Sequence, residues 1–193
     1  MSAADPSQIT TDRLLLSRPV PGDLAAVFRI HADPRVWTHF PSLRPSDPDE
    51  IETMMARWRR SWERAGLGTW TVRLRETGEM IGNGGCTLLA PDPDDPAAHV
   101  WNLGYRLSAD HHGHGYATEL ARAARTAAAG IAPERPVIAY LVEHNRASAA
   151  VAEKAGLTLV HRAPDAGNPD PAVMRLVYAD RALTDAQLAT ALR

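Results

Sequence analysis

A chain of 193 residues with 45% hydrophobic and 23% charged residues is long enough for one domain with a sizeable core. Its net charge of -2, from 21 basic and 23 acidic residues without a basic tract, argues against nucleic acid as a partner. No apolar run approaches the roughly 18–20 residues that span a bilayer, and residues 1–6 show no secretion signal.

Strands and helices are predicted along the whole chain. Hydrophobic periodicity and turn residues define their limits, and Asp47 is a predicted N-cap. In chain order the predicted elements are a strand at 13–18, helices at 23–32 and 48–65, strands at 69–75, 80–89 and 98–107, a helix at 116–129, a strand at 137–142, a helix at 146–155, strands at 158–162 and 173–178 around a loop at 163–171, and a final short helix with a capping box at 184 and 187.

One strand–helix–strand unit decides the topology. The strands at 98–107 and 137–142 flank the helix at 116–129, which Gly130 is expected to end. Such a crossover predicts two parallel strands, whereas the hairpin turn at Gly78 predicts an antiparallel pair. The sequence therefore predicts a single-domain α/β (α+β) fold, with a mixed, mostly antiparallel sheet of about seven strands and helices on both faces.

The most informative segment joins the strand at 98–107 to the next helix and reads HGHGYATE from His112 to Glu119. Glycines in a strand–turn–helix connection let the backbone approach a ligand closely. Several N–H groups then converge at the positive end of the helix, which favours a phosphate. The glycine spacing alone is more typical of a tight turn with close helix packing.

A second motif downstream makes the phosphate-loop interpretation more specific. It begins at Asn145-x-x-Ser148 and is closed by Glu153-Lys154-Ala155-Gly156-Leu157. In this order and separation, the two motifs resemble the GNAT superfamily of acetyl-CoA-dependent N-acetyltransferases, and in particular its ribosomal-protein-acetylating, RimJ/RimL-like branch. The resemblance defines an N-acetyltransferase domain at 9–180 and leaves 181–193 as a C-terminal helical extension.

The resemblance implies a GNAT-like sheet that is splayed between its fourth and fifth strands, 98–107 and 137–142, by a bulge. Acetyl-CoA would lie in this opening, with its pyrophosphate on backbone N–H groups and its pantetheine arm along the strand at 103–107. His112 departs from the family's Gln or Arg, which matters little where the backbone binds. The implied cofactor-binding residues are Tyr105, Leu107, His112, Gly113, His114, Gly115, Tyr116, Ala117, Thr118, Asn145 and Ser148.

The implied chemistry is direct transfer of the acetyl group to a primary amine in a ternary complex, without a metal or a covalent enzyme intermediate. Ser148 is the candidate proton donor to the thiolate, because Ala152 stands where related enzymes often have Tyr. Asn102 stands where they often have a catalytic Glu, and it could only orient a water. The other candidates for the base are Glu143, His144 and His99.

The weakness of the candidate base limits which amines can be acceptors. Removing the proton at neutral pH costs about 3–4 kcal/mol more for a lysine amine than for a peptide α-amine. We therefore expect a peptide α-amine or a small amine of lowered pKa. The resemblance places the linker between the first two helices over the acceptor, where Trp37, His39 and Phe40 are candidate binding residues and Arg44 could meet a carboxylate.

Two other functions stay open. A non-catalytic acyl-CoA-binding module is favoured by the missing Glu and Tyr, and a nucleotide-binding protein is made less attractive by the absence of a G-x-x-x-x-G-K-[ST] sequence. His111, His112 and His114 share a turn without a recognised ligand spacing, so no metal is expected.

The expected partners are acetyl-CoA and an amine acceptor, with neither nucleic acid nor membrane. The chain could be a monomer or a homodimer, with exposed apolar residues of the last strands as a dimer edge. Cys86, the single cysteine, excludes an internal disulfide and agrees with a reducing compartment. We expect a cytoplasmic protein.

Overall fold

The chain folds into strands and helices within the residues that the computed structural model describes, 5–166, 168 and 170–193. Residues 1–4 of the N-terminal segment, and residues 167 and 169 of the loop expected at 163–171, lie outside that part. The strands are β1 (Gln8–Thr10), β2 (Leu14–Ser17), β3 (Thr69–Leu74), β4 (Met80–Leu89), β5 (Val100–Leu107), β6 (Val137–Val142), β7 (Thr158–Pro164) and β8 (Met174–Ala179). The α-helices are α1 (Leu24–His31), α2 (Pro48–Ala65), α3 (Tyr116–Ile131), α4 (Arg146–Lys154) and α5 (Asp185–Leu192).

The strands form one sheet in the order β1-β2-β3-β4-β5-β6-β8-β7. Only β5 and β6 are parallel neighbours in the described sheet, and the other pairs are antiparallel. The predicted fold class and the parallel crossover are therefore confirmed. The additional strand is β1, an edge strand of three residues, which is too short to show an alternating pattern.

Helix limits follow the capping residues with one exception. The side chain of Asp47 caps α2 as predicted, and Gly66 ends that helix with a left-handed φ of 68°. The predicted end of α3 at Gly130 was wrong, because the helix runs past this residue. Ala132 ends it with a φ of -146° and a ψ of 80°, outside the helical region that the following Pro133 disfavours. None of the helices in the described ranges is long and apolar enough to cross a membrane.

Helices cover both faces of the sheet, as neighbouring residues of β4 demonstrate. Asn83 lies 2.7 Å from the ring Nε2 of His31 in α1. Gly84 lies against α3, where an added Cβ would stand 2.6 Å from a methyl carbon of Leu120. Because successive residues of a strand point to opposite faces, α1 and α3 lie on opposite faces of the sheet.

The C-terminal helix α5 packs against the sheet. Ala191 is buried with Val100 of β5 and Ile138 of β6. The hydroxyl of Thr190 donates a hydrogen bond to the carbonyl of Ala98 at 3.0 Å. The helix therefore shares a core with the sheet.

The sheet opens between β5 and β6, as predicted. These strands pair only at Trp101–Val137 and Asn102–Ile138. Further along, β5 stays paired with β4 and β6 stays paired with β8. The predicted bulge in β5 was wrong, because its register with β4 is unbroken. The opening arises because each strand follows its own antiparallel partner.

Candidate functional site

Two cavities open where β5 and β6 separate. The loop cavity, of about 470 Å³, is named for Gly113 and Gly115 in its wall. The aromatic cavity, of about 410 Å³, is named for Trp37 and Phe40 in its wall. They share part of their wall. The shared residues are His39, Tyr105, Arg106, Asn145 and Ser148.

The turn between β5 and α3 presents a row of backbone donors. Gly113 and Gly115 have φ values of 81° and 82°, in the left-handed region that glycine adopts without strain. In the part of the chain that the structure describes, the N–H groups from Gly113 to Thr118 have no hydrogen-bond acceptor. Free N–H groups at a helix N-terminus fit a phosphate or another anion.

Side chains from the connection between β1 and β2 hold this turn. Arg13 donates to the carbonyl of His114 at 2.9 Å and pairs with Glu119 at 2.8 Å. Thr11 donates to the same carboxylate at 2.6 Å. Burial alone would raise the pKa of Glu119, but the hydrogen bonds from Thr11 and Arg13 lower it below its usual value. The turn is thus anchored to a distant part of the chain.

The histidines of the turn contact the backbone. The Nε2 of His112 donates to the carbonyl of Leu107 at 3.0 Å, and the Nδ1 of His114 donates to the carbonyl of His112 at 2.9 Å. The ring of His114 stacks on Tyr116 with 5.8 Å between centroids. Among the described residues, no three His, Cys, Asp or Glu side chains are grouped so as to hold a metal ion.

The structure gathers the residues implied to bind acetyl-CoA along the loop cavity. The exception is His114, which does not line it. The others that line it are Tyr105, Leu107, His112, Gly113, Gly115, Tyr116, Ala117, Thr118, Asn145 and Ser148.

The shared wall contains a buried phenol. Asn145 is the predicted N-cap of α4, and its side chain accepts a hydrogen bond from the N–H of Ser148 at 3.1 Å. Beside Ser148, the Oη of Tyr105 is buried and has no hydrogen-bond partner in the described ranges. Burial raises the pKa of Tyr105, and the nearby Ser148 hydroxyl and Arg106 charge oppose this rise. The phenol is therefore protonated at neutral pH.

The side chain of Tyr105 is a feature that sequence reasoning missed, since it assigned this residue a role through its backbone alone. Strand alternation could have placed Tyr105 on the face of Leu103 and Leu107. It could not have shown that α4 brings Ser148 over that face.

Arg106, the next residue, was also missed. Its guanidinium carbon lies 3.6 Å from the centroid of the Trp37 ring, and its Nη1 donates to the carbonyl of Val36. Its Nε is buried without an acceptor in the part of the chain described here. Burial lowers the pKa of Arg106 to about 10, so the guanidinium stays charged at neutral pH.

The predicted acceptor-binding residues Trp37, His39 and Phe40 line the aromatic cavity. The carbonyl of His39 accepts a hydrogen bond from His144 at 2.9 Å, which joins the α1–α2 linker to the turn after β6. Burial, together with the charges of Arg106 and His144, lowers the pKa of His39 to about 4. This imidazole is therefore neutral at pH 7.

The structure does not bring Asn102 or Glu143 to the cavities. Asn102 lies where β5 is paired on both sides, opposite Thr87 and Ile138. Glu143 is exposed, and two hydrogen bonds of 2.7 and 2.9 Å from Arg162 lower the pKa of its carboxylate. Neither side chain is positioned to take a proton from an acceptor in the aromatic cavity.

The remaining polar candidates also lie away from the shared wall. Arg44 is exposed and donates to the carbonyl of Ala32 at 3.3 Å. His99 is buried beside the carbonyl of Asp92, 2.9 Å from its Nε2. His144 contacts the linker, as described above.

Comparisons with known proteins agree with this geometry. Residues 13–158 match the family model for the Acetyltransferase (GNAT) domain. Over 154 residues the chain is 29% identical to the uncharacterized protein YkkB of Bacillus subtilis (strain 168), covering 78% of this chain and 85% of that protein.

Solved structures share the fold. An acetyltransferase from Agrobacterium tumefaciens str. C58 is 31% identical with a TM-score of 0.69, covering 91% of this chain and 94% of that one. The RimL ribosomal L7/L12 alpha-N-protein acetyltransferase, in complex with coenzyme A, is 20% identical with a TM-score of 0.72, covering 93% and 99%. At 20% identity, the similarity to RimL shows a shared fold alone.

Proposed function

Because this chain belongs to the GNAT family and is an acetyl-CoA-dependent acetyltransferase, we propose that it acetylates a primary amine by direct transfer in a ternary complex. The observation that carries this proposal is the shared wall of the loop and aromatic cavities. A thioester in one cavity and an amine in the other would meet at Tyr105 and Ser148.

The loop cavity has the chemistry to hold acetyl-CoA. The N–H groups from Gly113 to Thr118 lack acceptors within the described ranges and would bind the pyrophosphate. Beyond Asn102, the edge of β5 that faces β6 is unpaired and would bind the amides of the pantetheine arm. A RimL structure with this fold contains coenzyme A, which supports acetyl-CoA as the cosubstrate here.

The reaction joins the amine nitrogen to the acetyl carbon and breaks the carbon–sulfur bond. The amine loses one proton and the departing thiolate gains one. We assign the second proton to Tyr105, because its phenol is buried, protonated at neutral pH and next to Ser148. Ser148 would orient or relay this proton, and a backbone N–H of β5 would polarise the carbonyl.

The strength of the available base limits which amines can react. In the described wall of the aromatic cavity, Asp165 is paired with Arg175 at 2.6 Å. The pKa of His39 is about 4, which makes this imidazole a poor proton acceptor at pH 7. Water would therefore take the proton from the amine. This arrangement favours an amine that is already partly neutral at pH 7, such as a peptide α-amine or a small amine of lowered pKa.

Calorimetric titration with acetyl-CoA, with ATP as the control, tests the cofactor site. We expect submillimolar binding of acetyl-CoA alone. Thiol release with a panel of peptides and small amines, with wild type and Ser148→Ala side by side, then tests transfer. Binding without turnover on any amine would favour a non-catalytic acyl-CoA-binding module. Absence of binding would overturn both functions.

A further inference from the structure

The aromatic cavity carries an unbalanced positive charge. Arg175 and Asp165 line it as a buried pair joined at 2.6 and 2.8 Å, so that their charges cancel. His39 is neutral, as its lowered pKa requires. Arg106 has no carboxylate within 4.0 Å among the residues described. A partly buried charge without a partner is unfavourable unless a ligand supplies the opposite charge.

One edge of this guanidinium has no hydrogen-bond partner in the described residues. Its Nη1 is used by the carbonyl of Val36, and its flat face lies on Trp37, which fixes its plane. Nε and Nη2 donate to no atom of the described residues. These two nitrogens form the edge of arginine that binds a carboxylate through two parallel hydrogen bonds, and because Nε is buried here, Nη2 would make the first contact.

Arg106 lines both cavities, but its contact with the α1–α2 linker favours the acceptor over the cofactor. Arg106 and Tyr105 are consecutive residues of β5 and therefore point to opposite faces. Tyr105 lies beside Ser148 of α4, whereas Arg106 lies on Trp37 of the α1–α2 linker. The anions of the cofactor already have the backbone donors between Gly113 and Thr118.

We propose that the acceptor is a primary amine with a carboxylate close to it, and that Arg106 binds this carboxylate. The proposal rests on the proposed function. An apolar side chain on the acceptor, as in a hydrophobic amino acid or at a peptide N-terminus followed by an acidic residue, would occupy the rest of the cavity. The apolar residues available to it are Trp37, Phe40, Leu43, Leu141 and Val142.

Two pairs of amines, each an acid and its neutral amide, test this proposal on the wild-type protein, with kcat/KM expressed per neutral amine because the carboxylate also raises the pKa of a nearby amine. The first pair is L-phenylalanine and L-phenylalaninamide, and the second is the amides of Phe-Glu and Phe-Gln. From the strength of charged hydrogen bonds, we expect a kcat/KM about 10-fold or more higher for the acidic member of at least one pair. The pair that shows the preference distinguishes a free amino acid from an acidic peptide. Equal rates within both pairs would overturn the proposal.

Substitutions of Arg106 test whether this residue causes the preference for the acidic member of each pair. Arg106→Met removes the charge and should abolish the preference by raising KM for the acid alone, while Arg106→Lys should restore part of it. Arg29→Met, an exposed arginine on α1, is the matched control and should keep the wild-type ratio. If Arg106→Met instead weakens acetyl-CoA binding and leaves the ratio intact, Arg106 serves the cofactor and the proposal fails. Thermal unfolding of each variant checks that the linker still packs.

Direct binding separates this inference from the proposed function. Calorimetry with the protein saturated by coenzyme A should show tighter binding of L-phenylalanine or the Phe-Glu amide than of its neutral partner, whether or not turnover occurs. Selective binding of the acid without acetylation would overturn the proposed transfer and leave the carboxylate site standing. Acetylation without a preference for the acid would overturn the carboxylate site and leave the proposed transfer standing.

Discussion

The loop cavity and the aromatic cavity recognise their ligands by different means. The loop cavity takes most of its wall from 105–118 and 145–154, and it offers backbone N–H groups. The aromatic cavity depends on side chains from parts of the chain that are far apart in sequence. Backbone recognition is therefore visible in local spacing, whereas side-chain recognition depends on how the chain folds. The aromatic cavity takes its wall from the segments 37–43, 103–106, 139–142 and 145–152 and from Asp165 and Arg175.

The largest expected effect is on kcat, from a substitution in the wall that the two cavities share. We expect Tyr105→Phe to lower kcat by roughly 10²–10³-fold, as for the loss of a general acid, with little change in the Kd of acetyl-CoA. Steady-state kinetics and calorimetry measure the two quantities. Tyr178→Phe removes a phenol that is bonded to Glu153 away from the cavities, and it should keep the wild-type kcat. A rise in KM alone for Tyr105→Phe would mean that the phenol only binds.

Local chemistry explains what the sequence predicts of this site. The left-handed turn at Gly115 and the cap at Asn145 depend on residues only a few positions away. The same holds for the crossover between β5 and β6, which follows from strand, helix and strand in succession. These features could be predicted without knowledge of any distant contact.

The features that could not be predicted are contacts between distant segments. Neither the burial of Tyr105 beside Ser148 nor the packing of Arg106 on Trp37 follows from local spacing. Asn102 was favoured as a catalytic candidate by its position in a motif, but the pairing of β5 on both sides places it outside the cavities. The bulge was expected for a similar reason, although two complete antiparallel ladders are enough to open the sheet.

The aromatic cavity should distinguish amines by their pKa, because it lacks a strong base in its described wall. A peptide with a free α-amine and no lysine should be acetylated about 100-fold faster at pH 7 than the same peptide with a blocked α-amine and one lysine. The ratio should fall as the pH rises above about 8, because the α-amine is then largely neutral while the neutral fraction of lysine still grows. Mass spectrometry of both peptides from pH 7 to 10 measures it. Comparable rates at pH 7 would mean that a base has been overlooked.

In the loop cavity, a change of backbone conformation should act on affinity rather than on chemistry. Gly115→Ala places a Cβ on a left-handed residue, and the loss of phosphate contacts should raise the Kd of acetyl-CoA roughly 10-fold. Gly78→Ala is the matched control, since Gly78 has a φ of 73° in the hairpin between β3 and β4. Both variants should lose stability to a similar extent. Equal loss of acetyl-CoA affinity in both would remove the special role of the turn.

The smallest expected effect is on stability, from the contacts that join the turn to the β1–β2 connection. Glu119→Gln weakens the contacts with Thr11 and Arg13, and it should lower the free energy of unfolding by about 1 kcal/mol at pH 7. The folded state lowers the pKa of Glu119, so its stabilisation is complete above the pKa of the unfolded chain, about 4.3. The difference between wild type and variant should therefore shrink as the pH falls through the lower, folded pKa.

Urea unfolding at pH 7 and at several values below pH 4 measures this difference, with Glu63→Gln on the exposed side of α2 as the control. A difference that stays constant with pH would mean that the side chain acts through packing and not through its charge. Because the backbone donors of the turn remain in place, the Kd of acetyl-CoA should change less than in Gly115→Ala. If it changes more, the loop cavity depends on a distant side chain as strongly as the aromatic cavity does, and the contrast between the two modes of recognition no longer holds.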